Sequence, residues 1–397
     1  MPRVLEGLRV LDLSRVLSGP YCTMLLADMG AEVIKVEVPG EGDLTRGKGD
    51  PESEARGGQP VFFDLNRNKK SLTLNLKAAA GKEIFTRLVQ TADVLVENYR
   101  PDVMARLGLD YEALRQINPR LIYCGISGFG KTGPYSLWPA YDQIAQGMSG
   151  LMSVTGDGDC APMRVGVSIA DSIAGLFATC GILAALVYRQ QTGHGQEVHA
   201  TLLDGLISML TARAANFLES GVLVPPVGNH LHDLGPAGTF ETADGHINIT
   251  AWPDETFRRL CQALDLVTVW TDSRFATPRL RAQHRDALTA ILNAKLRQRT
   301  TADWIGYLHQ QRIPCGPILN LQQVFENPQV LHNRMVVEQG HPRGGQRRLL
   351  GFPLTFSETP GDIRAPAPAL GEHTETLLTE LGYTPRHIAA FRRDGVI

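Results

Sequence analysis

Asp171 is the side chain best placed to do covalent chemistry. It heads an apolar run, for between Ser172 and Tyr188 there is hardly a polar side chain. A carboxylate at a helix N-terminus is held ionised by free amides and the helix dipole, while apolar neighbours keep water away. That environment presents an acid as a nucleophile. The same residues support a structural reading, because Ser168-Ile-Ala-Asp171 fits the capping pattern that opens an apolar helix. In that case backbone N–H groups occupy both side chains.

Two other motifs point to phosphate chemistry and fail on their surroundings. Gly125-Ile-Ser-Gly-Phe-Gly-Lys-Thr132 matches the P-loop spacing and follows a strand-like run. The mechanism needs a helix beginning at Lys131, so that amides point at the phosphates, and Gly133-Pro134 forbids one. ATP is not expected. The opening β-loop-α-β unit, with Glu37 after its second strand, has the layout of a dinucleotide site. Its turn carries only Gly19-Pro20 in place of G-x-G-x-x-G, and proline offers no amide to a pyrophosphate. NAD and FAD are not expected either. Cys22, Cys124, Cys160, Cys180, Cys261 and Cys315 form no C-x-x-C pair. Neither a zinc site nor a disulfide framework is expected, and Cys22 and Cys180, in apolar surroundings, read as buried thiols.

The elements that must position these residues follow from periodicity. Strands are expected over 8–13, 31–36, 71–76, 94–96 and 121–126, with helices over 21–29, 78–91 and 110–117 between them. That alternation predicts an α/β fold with a parallel sheet. Loops at 39–51 (with Asp43 and Arg46), 97–101 and 128–141 follow strands and would line a ligand crevice. The run over 172–188 is apolar on every side, too short and interrupted to span a bilayer, and belongs in a large core. A helix over 206–219 precedes Val224-Pro225-Pro226, which marks a boundary. Beyond it a smaller α/β domain is expected over 225–325, with a hairpin at Asp244-Gly245 and helices over 255–264, 284–297 and 302–310. The chain then returns to the large domain over 326–397, with a strand near 347–354, so that 1–224 and 326–397 make one domain. The 397 residues suffice for two domains. With 39 basic and 41 acidic side chains and no long run of either sign, no nucleic-acid or membrane partner is expected. The N-terminal Met-Pro-Arg-Val-Leu-Glu-Gly lacks an apolar signal region, so a cytoplasmic protein is the expectation.

Six blocks in order carry a family resemblance. They are LEGLRVLDLSRVLSGPYCTMLLADMGAEVIKVE, GEGDLTR, FFDLNRNKKSLTLNL, DVLVENYRPDVMARLGL, SGFGKTGPYSLWPAYD and ADSIAGLFATCGILAALVYRQQTGHGQEVHATLLDG. Together they resemble the class III CoA-transferases, a family that also contains the 2-methylacyl-CoA racemases. The resemblance implies a Rossmann-like large domain, a smaller α/β domain, and a homodimer whose subunits interlock. It aligns Asp171 with the family's nucleophile, which is acylated as a mixed anhydride and then carries CoA as an aspartyl thioester. No cofactor is implied, since coenzyme A itself is the substrate and carrier, with an acyl-CoA and a carboxylic acid as partners, and no metal.

The resemblance also implies a CoA site. It places Val16 and Leu17 beside the pantetheine, then Leu74, Asn75 and Lys77 at a strand end, then Asn98, Tyr99 and Arg100. Arg106 would meet phosphate, the segment Ala140, Tyr141 and Asp142 contributes, and Lys131 is a further phosphate candidate. An oxyanion donor would come from 228–238, around Gly235. This chain departs from the oxalate-using members, having Leu17 where they have Gln, Val38 where they have Arg, and GNHLHDLGPAG in place of a glycine run. Formyl-CoA:oxalate exchange is therefore not expected. Arg15 would either receive the distal carboxylate of a succinate-like acid or close a structural ion pair. Racemases place a His in a G-H-D motif as second acid/base, and this chain has Ala140-Tyr141-Asp142. Transfer is the preferred expectation, with a racemase and a non-catalytic CoA-binding protein as alternatives.

Overall fold

Six parallel strands form the central sheet of the computed structural model, which describes residues 3–56, 58–158, 160–340 and 346–397. In chain order the first unit runs β1 (Arg9–Asp12), α1 (Ser18–Asp28), β2 (Glu32–Glu37), β3 (Lys69–Thr73), α2 (Ala79–Thr91), β4 (Val94–Glu97), α3 (Pro101–Leu107), β5 (Ile122–Ser127), α4 (Asp142–Met148), α5 (Ile169–Thr192), β6 (Glu197–Thr201) and α6 (Leu202–Met209). The spatial order is β3-β2-β1-β4-β5-β6. Val10 lies opposite Val33 and Val94. Successive strand residues face opposite sides, and both sides are covered, so the central strands carry buried apolar residues on both faces. Val10, Val33 and Val96 pack with α1 and α5 on one face, while Leu11, Ile34 and Leu95 pack with α2 on the other. The mixed α/β architecture is that expected.

The chain divides into two units, 1–151 with 164–221 and 328–397, and 152–163 with 222–327. The second holds an antiparallel sheet in the order β7 (Ala237–Glu241), β8 (His246–Thr250), β9 (Cys315–Pro317), covered by α7 (Asp254–Ala263), α8 (Arg285–Leu296) and α9 (Thr301–Gln310). Phe240, Ile247, Phe257 and Leu292 form its core. Asp157 bridges Val227, which draws 152–163 into this unit although the sequence expectation leaves them in the large domain.

Several local expectations change. Ser18-Gly19-Pro20 is the first turn of α1, a position where proline costs no hydrogen bond. The helix expected over 206–219 is two helices, α6 and another at Thr211–Ser220. The strand near 347–354 is β11 (Gln346–Leu350), and it pairs antiparallel with β10 (Val336–Gly340) outside the main sheet. No helix begins at Lys131, as the Gly-Pro signal required. α5 is not buried all round. Ala174, Ala178, Ile182 and Ala185 face the core, while Leu176, Phe177, Val187 and Tyr188 are exposed. Cys180 lies on that exposed face, contrary to expectation, whereas Cys22 is buried. α5 is long and apolar enough to cross a membrane by composition, but half of its most apolar window is buried against the rest of the protein.

Candidate active site

A cleft of about 400 Å³ opens beyond the carboxyl ends of β1, β4 and β5. The chain leaves β1 towards β2 on one side, while β4 lies on the other. Adjacent loops diverge at such a switch point and leave a crevice. Arg15, Val16, Leu17 and Ser18 line it from β1, Asn98, Tyr99, Arg100, Val103 and Arg106 from β4 and α3, and Ile126, Ser127 and Gly128 from β5. Pro139, Ala140, Tyr141, Leu44, Leu202 and Asp171 complete the wall.

A buried ion cluster shapes the β1 side. Lys35 Nζ reaches Asp43 Oδ2 at 2.9 Å and the Ser14 carbonyl at 2.8 Å. Lys69 Nζ reaches Asp12 Oδ2 at 3.0 Å, and Arg46 pairs with Glu37 at 2.7 Å. Burial opposes the ionisation of Asp12, but Lys69, Lys35 and the Ser14 and Thr23 hydroxyls outweigh it and hold its carboxyl at about 2. Burial brings the Lys69 ammonium down to about 8, with Asp12 opposing that fall. Three acids thus face three bases with little net charge. The Val16 N–H donates to both Asp43 carboxylate oxygens at 3.3 Å. Val16 sits at φ +68°, a conformation that a β-branched residue avoids unless its surroundings impose it. Asp43 and Arg46 therefore act beneath the cleft.

On the β4 side, Glu97 Oε2 accepts the Tyr99 N–H at 2.8 Å and fixes the turn that presents Asn98 and Tyr99. Burial lifts the Glu97 carboxyl to about 7, the Tyr99 amide and Tyr123 hydroxyl pulling the other way. The Arg15 guanidinium lies 4.9 Å from the Tyr99 ring centroid. Neither Arg15 nor Arg100 pairs with an acid among the described residues, so the ion-pair alternative for Arg15 falls away. Arg106 is held by Asp102 at 3.1 Å, one helical turn away.

Asp171 lies in the first turn of α5, part-buried. Ser168 makes no side-chain cap, which overturns the capping expectation. The cap comes from α4 instead. Asp142 Oδ1 accepts the Ala170 N–H at 2.8 Å, and Gln146 Nε2 holds Asp142 Oδ2 at 2.7 Å. The Asp171 carboxyl is thereby left for the cleft. Burial raises it to about 6, the Asp142 charge adds to the rise, and the Ser18 hydroxyl pulls it back. A carboxyl so poised is ionised at neutral pH and weakly solvated, as a nucleophile requires.

The structure brings ten of the expected residues to one cleft: Arg15, Val16, Leu17, Asn98, Tyr99, Arg100, Arg106, Ala140, Tyr141 and Asp171. It does not bring the others. Leu74 is 2% exposed in the core behind the sheet. Asn75 is tied to the tail through its N–H to the Val396 carbonyl, and Lys77 is exposed. All three follow β3, the edge strand two places from β1. Asp142 is a helix cap, not a wall residue. Lys131 gives its ammonium to Glu197 at 2.6 and 2.9 Å, which removes it as a free phosphate ligand. Gly235 belongs to the second unit, where its N–H donates to the Pro278 carbonyl and its own carbonyl accepts from Arg281. Its amide is therefore not free to serve as an oxyanion donor. Ser18 and Ser127 line the cleft without having been expected there. The rule that ligands sit beyond strand ends could have found Ser127, but no local signal marks Ser18.

Comparison with known proteins points to one family. The profile of CoA-transferase family III matches residues 5–374. Succinyl-CoA:glutarate CoA-transferase of Mus musculus is 41% identical over 394 residues, covering 99% of this chain and 90% of the relative. Succinate–glutarate CoA-transferase of Agrobacterium fabrum is 39% identical, with 95% of each chain covered. A crystal structure of a CAIB/BAIF family protein from Brucella suis superposes with a TM-score of 0.85 at 38% identity, covering 96% of this chain and all (100%) of that one.

Proposed function

The chain belongs to CoA-transferase family III, and from that premise we propose that it exchanges CoA between dicarboxylic acids, with Asp171 as covalent carrier. One observation supports this reading: a carboxyl raised to about 6 lines a cleft whose Arg15 and Arg100 have no acid partner among the described residues. The steps follow from carboxylate chemistry. Asp171 attacks the donor thioester carbonyl, the C–S bond breaks, and CoA leaves as thiolate from a mixed anhydride. The thiolate attacks the aspartyl carbonyl, releasing the donor acid and leaving an aspartyl-CoA thioester. The acceptor carboxylate attacks that thioester, and the thiolate takes the new acyl group from the resulting anhydride. Each step exchanges activated acyl bonds, so the sequence of steps uses no metal and no redox cofactor.

The acid class is supported from two sides. Relatives about 40% identical carry names that specify succinyl-CoA, succinate and glutarate. The Arg15 guanidinium stands in the cleft with no acid partner among the described residues, suited to a second carboxylate. Arg15→Met should raise KM for a dicarboxylic acceptor by about 10- to 100-fold, the worth of a charge-assisted hydrogen bond, while a monocarboxylic acceptor changes little. Equal losses for both acceptors would refute the dicarboxylate assignment. Tyr141, 74% exposed on the cleft wall, supplies no imidazole for proton exchange at an α-carbon, which favours transfer over racemisation.

Intact mass and peptide mapping after incubation with succinyl-CoA test the mechanism. An acyl or CoA adduct on Asp171, cleaved by hydroxylamine, is expected. An unmodified protein that nonetheless turns over would rule the covalent route out. The reading includes a second copy of the chain as partner, supported by the apolar residues Leu176, Phe177, Val187 and Tyr188 left exposed on α5. Light scattering should give twice 43.4 kDa, and a monomer would remove that part of the proposal.

A further inference from the structure

Ser18 is the first residue of α1 and only 4% exposed, yet it lines the cleft with Asp171. The starts of α1 and α5 abut. A Cβ on Gly175, one turn beyond Asp171, would stand 2.4 Å from the Ser18 carbonyl oxygen. Behind Ser18 the Asn98 carboxamide is locked at both ends. Its Oδ1 accepts the Arg15 N–H at 2.8 Å, and its Nδ2 donates to the Arg15 carbonyl at 2.8 Å. The same Nδ2 also donates to Ser18 Oγ at 3.2 Å. A hydroxyl that accepts on one side keeps its own proton for an acceptor on the other.

We propose that Ser18 is a positioning residue for the transfer, its hydroxyl oriented by Asn98 and donating to one oxygen of Asp171 while the other attacks. The proposal rests on Asp171 being the nucleophile. No proton leaves Ser18 and no bond to it forms at any step. The hydroxyl donates to the carboxylate before acylation and to the aspartyl carbonyl oxygen afterwards. Rotation of the side chain between turnovers is thereby restrained, which preserves the near-attack geometry.

The electrostatics agree with this arrangement. The titratable groups on elements packed against α5 are Tyr21, Cys22 and Asp28 of α1, Asp142 of α4, Tyr123 and Cys124 of β5, Glu197 and His199 of β6, and Asp204 of α6. Of these only Asp142 acts on Asp171, and it opposes ionisation, while the Ser18 hydroxyl favours it. Without Ser18 the carboxylate keeps its repelling neighbour and loses the donor that offsets it.

Ser18→Ala should lower kcat by about 10- to 100-fold, the worth of a hydrogen bond to a charged group, with KM for acyl-CoA nearly unchanged. The acid limb of its kcat/KM profile should move to higher pH. Ser18→Thr, which restores a hydroxyl, should return the limb towards wild type, and far-UV circular dichroism verifies that both variants fold. A wild-type limb and kcat in Ser18→Ala would overturn the proposal, as would a loss confined to KM, which would make Ser18 a substrate contact. Failure of Asp171 itself is distinguishable, because wild type would then show no adduct by mass.

Discussion

Asp171→Asn should reduce kcat by about 10⁴-fold or more, because the amide keeps the shape of the carboxylate but cannot form an anhydride. The wild-type pH profile carries the same assignment. With the carboxyl raised to about 6, kcat/KM should fall below pH 6 as the nucleophile protonates. An acid limb near pH 4, or an Asn variant retaining a tenth of the activity, would contradict the role. The variant should also show the strain that the site holds. The folded-state pKa lies above the ordinary value of 3.8, so ionisation is disfavoured on folding. Stability from this group is therefore fullest below 3.8 and is lost as pH rises through 6. Asp171→Asn removes that loss, and should stabilise the protein at pH 8 by about 1–2 kcal/mol, a figure discounted for partial exposure, and not at pH 4. Urea unfolding at the two pH values reads this difference.

Lys35→Met should destabilise the protein by about 3–5 kcal/mol, since it strands a buried carboxylate. Lys35 and Asp43 are 1% and 0% exposed at their side chains, and Asp12 and Glu37 both draw on the same ammonium. Removing it leaves three acids against two bases. A second consequence is functional, for Asp43 holds the left-handed Val16 turn through the Val16 N–H. The double variant Lys35→Met/Asp43→Leu separates the two effects. Replacing a buried pair by apolar side chains of similar size is often nearly neutral, so stability should largely return. Activity should not, because the Val16 N–H has lost its acceptor. A single variant costing under about 1 kcal/mol would show that the cluster is not the constraint proposed here. The acids of this cluster have pKa values below their ordinary range, so their contribution is present above about pH 4 and lost as pH falls towards 2.

What the sequence determined by itself is local. Strand and helix periods, with Gly and Pro as punctuation, specify the parallel sheet and the loops at its carboxyl ends. They also place Asp171 at the head of a long apolar helix, and the pair Gly133-Pro134 disposes of the P-loop match. These signals are legible because each depends on neighbours within a turn or a strand. Only the tertiary structure decided whether Asp171 is free. Its helix is capped by Asp142 from 28 residues away, not by Ser168 three residues away. The Asn98 carboxamide meets Arg15 across 83 residues, and Lys69 meets Asp12 across 57. Leu74 and Lys77 sit on a strand end, as read, but at the edge of the sheet, and strand order is invisible to periodicity. Hydrogen bonds and ion pairs are short-ranged in space and indifferent to separation along the chain, so the partner of a buried charge is fixed only when the sheet closes.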